Sequence, residues 1–219
     1  MKPLARKKNK FLKLNNISFG FPGKILAKNV FLEIGEGDFI ILSGPNGSGK
    51  STLARLLLGV HKPLLGERID FFQKKAYVPQ KSDIDLGYPL TLAELWETAA
   101  YEHFFELPFQ RKYREILNHE IIKTLALKEK QHLPIFRASG GELQRALIAR
   151  ALIRKADLVV MDEPFSNLDK KARREVSKLL FHLCQKEKTS FFIIDHQGVV
   201  RSSGIKFYYL ENGILYHDS

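Results

Sequence analysis

The run Gly44-Pro45-Asn46-Gly47-Ser48-Gly49-Lys50-Ser51-Thr52 constrains this chain more than any other stretch. Its glycines let a tight loop turn successive backbone N–H groups toward a polyphosphate. Lys50 adds a point positive charge at the outer phosphates, and Ser51 offers a hydroxyl to Mg²⁺. Both flanks suit that role. Asp38-Phe39-Ile40-Ile41-Leu42 reads as a short buried strand, and Leu53, Leu56, Leu57 and Val60 recur afterwards at helical spacing. The loop therefore opens a helix, whose N-terminal dipole favours phosphate. A chain with such a loop is expected to be α/β, with the loop between a parallel strand and its helix.

A phosphate site that does chemistry needs a metal partner and a way to activate water. Asp157 to Asp162 forms an apolar strand with a carboxylate at its carboxyl end, and Glu163 follows. Asp162 can hold Mg²⁺, directly or through water. Glu163, turned toward the γ-phosphate, can orient or deprotonate the attacking water. The segment Ser139–Ile153 reads as a helix, with Leu143, Leu147 and Ala151 on one face.

The other segments fill in the order. Strand-like runs occur at Phe11–Phe19, Val30–Ile34, Gly66–Phe72, Ala76–Val78, Thr189–Asp195, Lys206–Leu210 and Ile214–Tyr216, the last two joined by an Asn212-Gly213 hairpin signal. A helix is expected from Lys170 to Gln185. The predicted fold is a mixed, mainly parallel sheet with an antiparallel β subdomain and one inserted helical subdomain. Thr91 with Glu94 is a capping-box signal, and helical pattern continues toward Phe105 and again from Gln110 to Leu127. On that basis residues 1–219 form one domain, with core residues 1–81 and 134–219 and an inserted helical subdomain at 82–133.

Composition narrows the classes. The formal charge is +11 over 219 residues, with basic residues scattered apart from the N-terminal Lys2, Arg6, Lys7, Lys8 and Lys10. No zinc-finger spacing, aromatic RNA-binding signature or sustained basic helix is present, so direct nucleic-acid binding is not expected. A basic surface near an anionic membrane fits the charge better. The longest apolar runs are too short to span a bilayer, and no apolar signal region follows the basic N-terminus, so a cytoplasmic chain is expected. The lone Cys184 falls on a helical pattern with Leu180 and Leu183 and reads as packing.

Taken in order, the motifs resemble those of the ATP-binding-cassette (ABC) ATPases over nearly the whole chain. Ala138-Ser139-Gly140-Gly141-Glu142-Leu143-Gln144-Arg145 resembles the family's signature, with Ala138 and Glu142 where leucine and glutamine are common. It precedes Asp162-Glu163-Pro164, and Ser166-Asn167-Leu168-Asp169 resembles the D-loop. Gln80 matches the Q-loop glutamine, a Mg²⁺ and water sensor, and His196 the switch histidine. Asp195 and Gln197 flank it where threonine and aspartate are commoner. Phe21 occupies the place of the aromatic that stacks on adenine, although Phe19 is an alternative. The resemblance implies an active ATPase using ATP and Mg²⁺. Catalytic roles fall on Glu163, His196 and Gln80, and metal contacts on Ser51, Gln80 and Asp162. The nucleotide is bound by Phe21, Gly44–Thr52 and, from a second subunit, Ser139–Glu142 and Asp169.

The resemblance also implies partners. Two subunits pair head to tail, each phosphate loop facing the other's signature, and integral membrane permease subunits accompany them at the cytoplasmic face of the membrane. Ala76-Tyr77-Val78-Pro79-Gln80-Lys81, followed by Tyr88-Pro89-Leu90-Thr91-Leu92, is similar to ATPase subunits of bacterial zinc and manganese importers, which implies an extracytoplasmic substrate-binding protein as well. An exporter or lipid-transport ATPase, or a soluble ABC ATPase acting on nucleic acid or ribosomes, is the alternative. Trp96, Tyr101, Phe104 and Phe105 either line a groove for a partner's helix or form the inserted subdomain's own core.

Overall fold

A computed structural model describes residues 10–80, 84, 87, 89–99, 120–195 and 204–218. In chain order these form β1 (Phe11–Phe21), β2 (Lys24–Gly35), β3 (Phe39–Ser43), α1 (Lys50–Leu58), β4 (Leu65–Asp70), β5 (Lys75–Val78), α2 (Leu92–Glu97) and α3 (Glu120–Thr124). Then come α4 (Gly140–Ile153), β6 (Leu158–Asp162), α5 (Lys170–Glu187), β7 (Ser190–Ile194), β8 (Ile205–Glu211) and β9 (Ile214–Asp218).

The strands that are apolar at nearly every position, β3, β6 and β7, lie next to one another in the middle of a six-stranded sheet of order β5-β6-β7-β3-β8-β9. Every pairing in it is parallel except the β8–β9 hairpin. Burial on both faces explains their continuous apolar runs. Side-chain alternation then sorts them. Ile40, Leu42, Leu158, Val160, Phe192 and Ile194 face one way, and Phe39, Ile41, Val159, Met161, Phe191 and Ile193 the other. The first set packs under α1 (Leu53, Leu56, Leu57), which a three-stranded antiparallel sheet of order β2-β1-β4 covers with Leu12, Leu14, Ile17 and Phe19. The second set packs against α4 and α5.

The expected mixed, mainly parallel sheet with an antiparallel sheet beside it is present. One element is longer than its sequence pattern suggests. The strand expected at Val30–Ile34 begins at Lys24, because the Pro22-Gly23 turn pairs Phe21 with Lys24 and Phe19 with Ala27. That edge segment alternates weakly, so its polarity hides its conformation. Asn212 and Gly213 both take left-handed φ angles, 50° and 77°, as a two-residue hairpin requires.

Parallel register aligns the strand ends. Leu42 of β3 and Asp162 of β6 both pair with Ile194 of the intervening β7. The loops leaving these strands therefore emerge on one edge of the sheet, where open parallel sheets place their ligands.

Within the segment 82–133, the described residues tie its two ends together. Leu92 N–H donates to Leu133 O, Ala93 N–H to Gln131 O and Ile135 N–H to Leu90 O. The Thr91–Glu94 capping box is formed in both directions. Trp96 is fully buried in the apolar cluster that contains Leu143 and the sheet, together with Ile121, Ile122, Leu125 and Leu127. Trp96 is thus a core residue and does not line a docking groove; Tyr101, Phe104 and Phe105 lie outside the described residues. Cys184 is also core: its thiol donates to Gly37 O, and burial, aided by Asp38, pushes it up to about 11.

Candidate nucleotide site

The loop between β3 and α1 is preformed. Gly44, at φ 145°, lies against β8 so closely that a Cβ there would come 2.2 Å from Leu210 O. A side chain at this position is excluded. Lys50 is buried and folds its ammonium back on the loop, donating to Gly44 O at 3.0 Å and Pro45 O at 2.7 Å. Burial lowers its pKa, an effect opposed by the carboxylates of Glu163 and Asp162. A buried cation whose direct hydrogen bonds go to carbonyl oxygens is costly, and an arriving anion relieves that cost. The site is therefore built for negative charge.

One cavity of about 570 Å³ collects residues that the sequence scatters. Phe21, the loop residues Asn46, Gly47, Gly49, Lys50, Ser51 and Thr52, and Gln80, Asp162 and Glu163 all line it. Asp162 is almost fully buried at the end of β6. Glu163 takes a left-handed φ of 49°, its N–H donating to Ile194 O. Its carboxylate accepts a 3.1 Å hydrogen bond from the Gln80 side-chain amide. A hydroxyl, an amide and two carboxylates are hard oxygen donors of the kind that hold Mg²⁺ alongside phosphate oxygens and water.

Burial separates the two candidate aromatics. Phe19 is 0% exposed and packs beside Gly49, whereas Phe21 is 48% exposed at the cavity wall. His61 supports Phe21 edge-on at 5.7 Å between ring centroids, and its Nε2 is hydrogen-bonded to Gly20 O at 2.9 Å. Lys24 and Leu26, not singled out from the sequence, also line the cavity. The signal for them was the Pro22-Gly23 turn, which folds β2 back alongside Phe21.

The signature residues are elsewhere. Ser139, Gly140, Gly141 and Glu142 do not line this cavity, and neither does Asp169. Ser139 caps α4: its Oγ accepts from Glu142 N–H at 3.2 Å, and Glu142 Oε2 accepts from Ser139 N–H at 2.8 Å. That backbone donor lowers the Glu142 pKa, helped by the Ser139 hydroxyl and Lys130 against the cost of burial. Gly141 abuts the segment before Asp169, where a Cβ would sit 3.1 Å from Asn167 O. Asp169 caps α5, accepting from Ala172 N–H at 2.8 Å. His196 lies outside the described residues. Among the described residues, no helix is long and apolar enough to cross a membrane.

A family model described as ABC transporter matches residues 27–166. The zinc import ATP-binding protein of Buchnera aphidicola subsp. Baizongia pistaciae is 31% identical over 208 residues, covering 93% of this chain and 82% of that protein. The manganese transport system ATP-binding protein of Halalkalibacterium halodurans is 31% identical over 194 residues, covering 86% and 77%. A dimeric ATP-binding cassette solved in a post-hydrolysis state with ADP and Pi superposes with a TM-score of 0.80 at 26% identity, covering 94% of this chain and 98% of that one. The fold is thus that of the P-loop cassettes.

Proposed function

Because this chain belongs to the ABC transporter family, we propose that it is the ATP-hydrolysing subunit of a membrane transporter that takes up a divalent metal such as zinc or manganese. The observation that carries the catalytic part is the single cavity joining Lys50 and Ser51 to Gln80, Asp162 and Glu163. The phosphate loop and Lys50 hold the outer phosphates of ATP. Glu163 takes a proton from the water that attacks the γ-phosphorus, and the bond to the bridging oxygen breaks. Gln80 holds the Glu163 carboxylate in place. Ser51, Asp162 and Gln80 are the residues that would hold Mg²⁺. Bound there, it neutralises phosphate charge.

The Ser139 helix start lies off this cavity, which supports an arrangement in which two copies pair head to tail. Ser139, Gly140 and Gly141 of one copy, with Glu142 and Asp169, then complete the ATP site of the other. His196 contributes a γ-phosphate contact and Phe21 an adenine platform in the same reading. ATP stabilises the closed pair by binding it more tightly than the open one, and loss of the γ-phosphate contact releases it. The substrate is supported by the zinc and manganese transport relatives alone. Permease subunits and an extracytoplasmic binding protein would complete the transporter at the cytoplasmic face of the membrane.

The test is purification of the tagged chain from its own membranes. A hydrophobic permease should co-purify, and deleting the gene should give a growth defect under chelation that added zinc or manganese relieves. Ribosomes or DNA in place of a permease would overturn the transport reading.

A further inference from the structure

We propose that Arg173 is a positioning residue for hydrolysis, clamping together the two strand ends between which Glu163 is held. The proposal rests on Glu163 being the general base and goes beyond it by naming what keeps that base in place. Arg173 lies in the first turn of α5, its N–H bonded to Asp169 O. Its guanidinium donates to Asp195 Oδ2 at 2.7 Å and sits over the Phe165 ring at 5.3 Å. Asp195 immediately follows β7 and is 4% exposed; Phe165 lies two residues beyond Glu163 and is 1% exposed.

The arrangement answers a specific strain. Glu163 holds a left-handed φ of 49° without being glycine or asparagine. Such a conformation persists only where its surroundings over-determine it. The backbone on each side of Glu163 is bonded: its N–H to Ile194 O, and its carbonyl to Ser166 N–H and Ser166 Oγ at 3.3 and 3.1 Å. Those two anchors belong to segments that Arg173 itself grips, through Asp195 next to Ile194 and through Phe165 next to Ser166. An arginine suits both contacts at once, because its planar fork pairs with a carboxylate while its face lies on an aromatic ring. The buried Asp195 carboxylate also needs that charge opposite it. Arg173 and Asp195 thus form one strut across the sheet edge, and α5 carries it from the Asp169 cap.

Four forms of the chain test this: wild type, Arg173→Ala, Arg173→Lys and the double variant Arg173→Met with Asp195→Thr. In Arg173→Ala, kcat should fall on the order of tenfold or more, while the Kd for ATP stays within about twofold, since misplacement of a reacting group costs turnover and not ground-state binding. Arg173→Lys keeps the charge but loses the planar face, and should recover part of kcat. The double variant leaves no buried charge unpaired. Its melting temperature should return toward wild type while kcat stays low. If kcat returned together with the melting temperature, the pair would be a structural support only and the proposal would be overturned. A folded Arg173→Ala with wild-type kcat would overturn it equally. Failure of the underlying reading is seen separately, as undiminished turnover in Glu163→Gln.

Discussion

The Gln80 side-chain amide donates from Nε2 to Glu163 Oε2 at 3.1 Å, across 83 residues of sequence. It joins the residue two positions beyond β5 to the residue proposed to activate water. Removing the amide leaves the carboxylate less well aimed. Gln80→Ala should therefore lower kcat by about tenfold, within the range expected of one positioned hydrogen bond. The Mg²⁺ concentration giving half-maximal rate should rise. A variant with unchanged kcat and Mg²⁺ dependence would remove Gln80 from the mechanism.

Glu163→Gln keeps the size of the side chain and loses the base. Steady-state phosphate release should fall about 10²–10⁴-fold, with ATP still bound. Closed dimers should then accumulate on adding ATP, detectable by light scattering. Turnover within twofold of wild type would show that another group accepts the proton.

Lys50→Ala should abolish ATP binding and, with it, ATP-dependent dimerisation; a variant that still dimerised on adding ATP would refute the two-halves site. Burial lowers the Lys50 pKa below its ordinary 10.5, so the native state sheds this proton before the unfolded chain does. The nucleotide-free protein should gain stability relative to Lys50→Met as pH rises through that window. ATP affinity should decline over the same rise. Parallel pH profiles for the two forms, from neutrality to 10.5, would count against the buried ammonium as the phosphate contact.

Phe19 and Phe21 should separate cleanly. Phe19→Ala empties a fully buried site and should cost about 3–5 kcal/mol of stability. Phe21→Ala should leave melting nearly unchanged and weaken ATP binding by about 1–3 kcal/mol, the usual worth of a base–aromatic stack. Equal ATP affinity in the Phe21 variant would move the adenine platform elsewhere.

Glu142 carries a pH signature. Its pKa lies below the ordinary 4.5, chiefly because Ser139 N–H donates to its carboxylate. The stability it contributes is present above 4.5 and is lost as pH falls through the lowered folded-state value. Glu142→Gln keeps a capping side chain without the charge. It should be less stable than wild type by roughly 0.3–1 kcal/mol at neutral pH, with the gap closing in acid. A gap constant across pH would show that the charge contributes nothing. Ser139→Ala should cost about 1 kcal/mol through the cap and, separately, weaken ATP-dependent dimerisation.

Much of this site was legible in the residues. Gly44–Thr52, the Asp162-Glu163 pair and the Ser139–Glu142 cap are contiguous runs whose chemistry is local, because glycine conformation, helix capping and a carboxylate ending an apolar strand each involve a few neighbouring residues. The order of those runs sufficed for the family. The β8–β9 hairpin was equally plain from Asn212-Gly213, two residues that tolerate left-handed φ.

Only the tertiary structure decided what depends on sheet order and facing. Gln80 meets Glu163, 83 residues away, because β5 lies beside β6 in the sheet. Phe19 and Phe21 have the same chemistry and sit two residues apart; bulges along β1 and the turn at Pro22-Gly23 bury one and expose the other. Trp96 reads equally as a docking residue or as core until α2 is seen packed on α4. Arg173 and Asp195 stand 22 residues apart, and nothing in the sequence links them. Burial of the β7 end turns them into a strut, since a carboxylate removed from water must find a cation, and α5 supplies one.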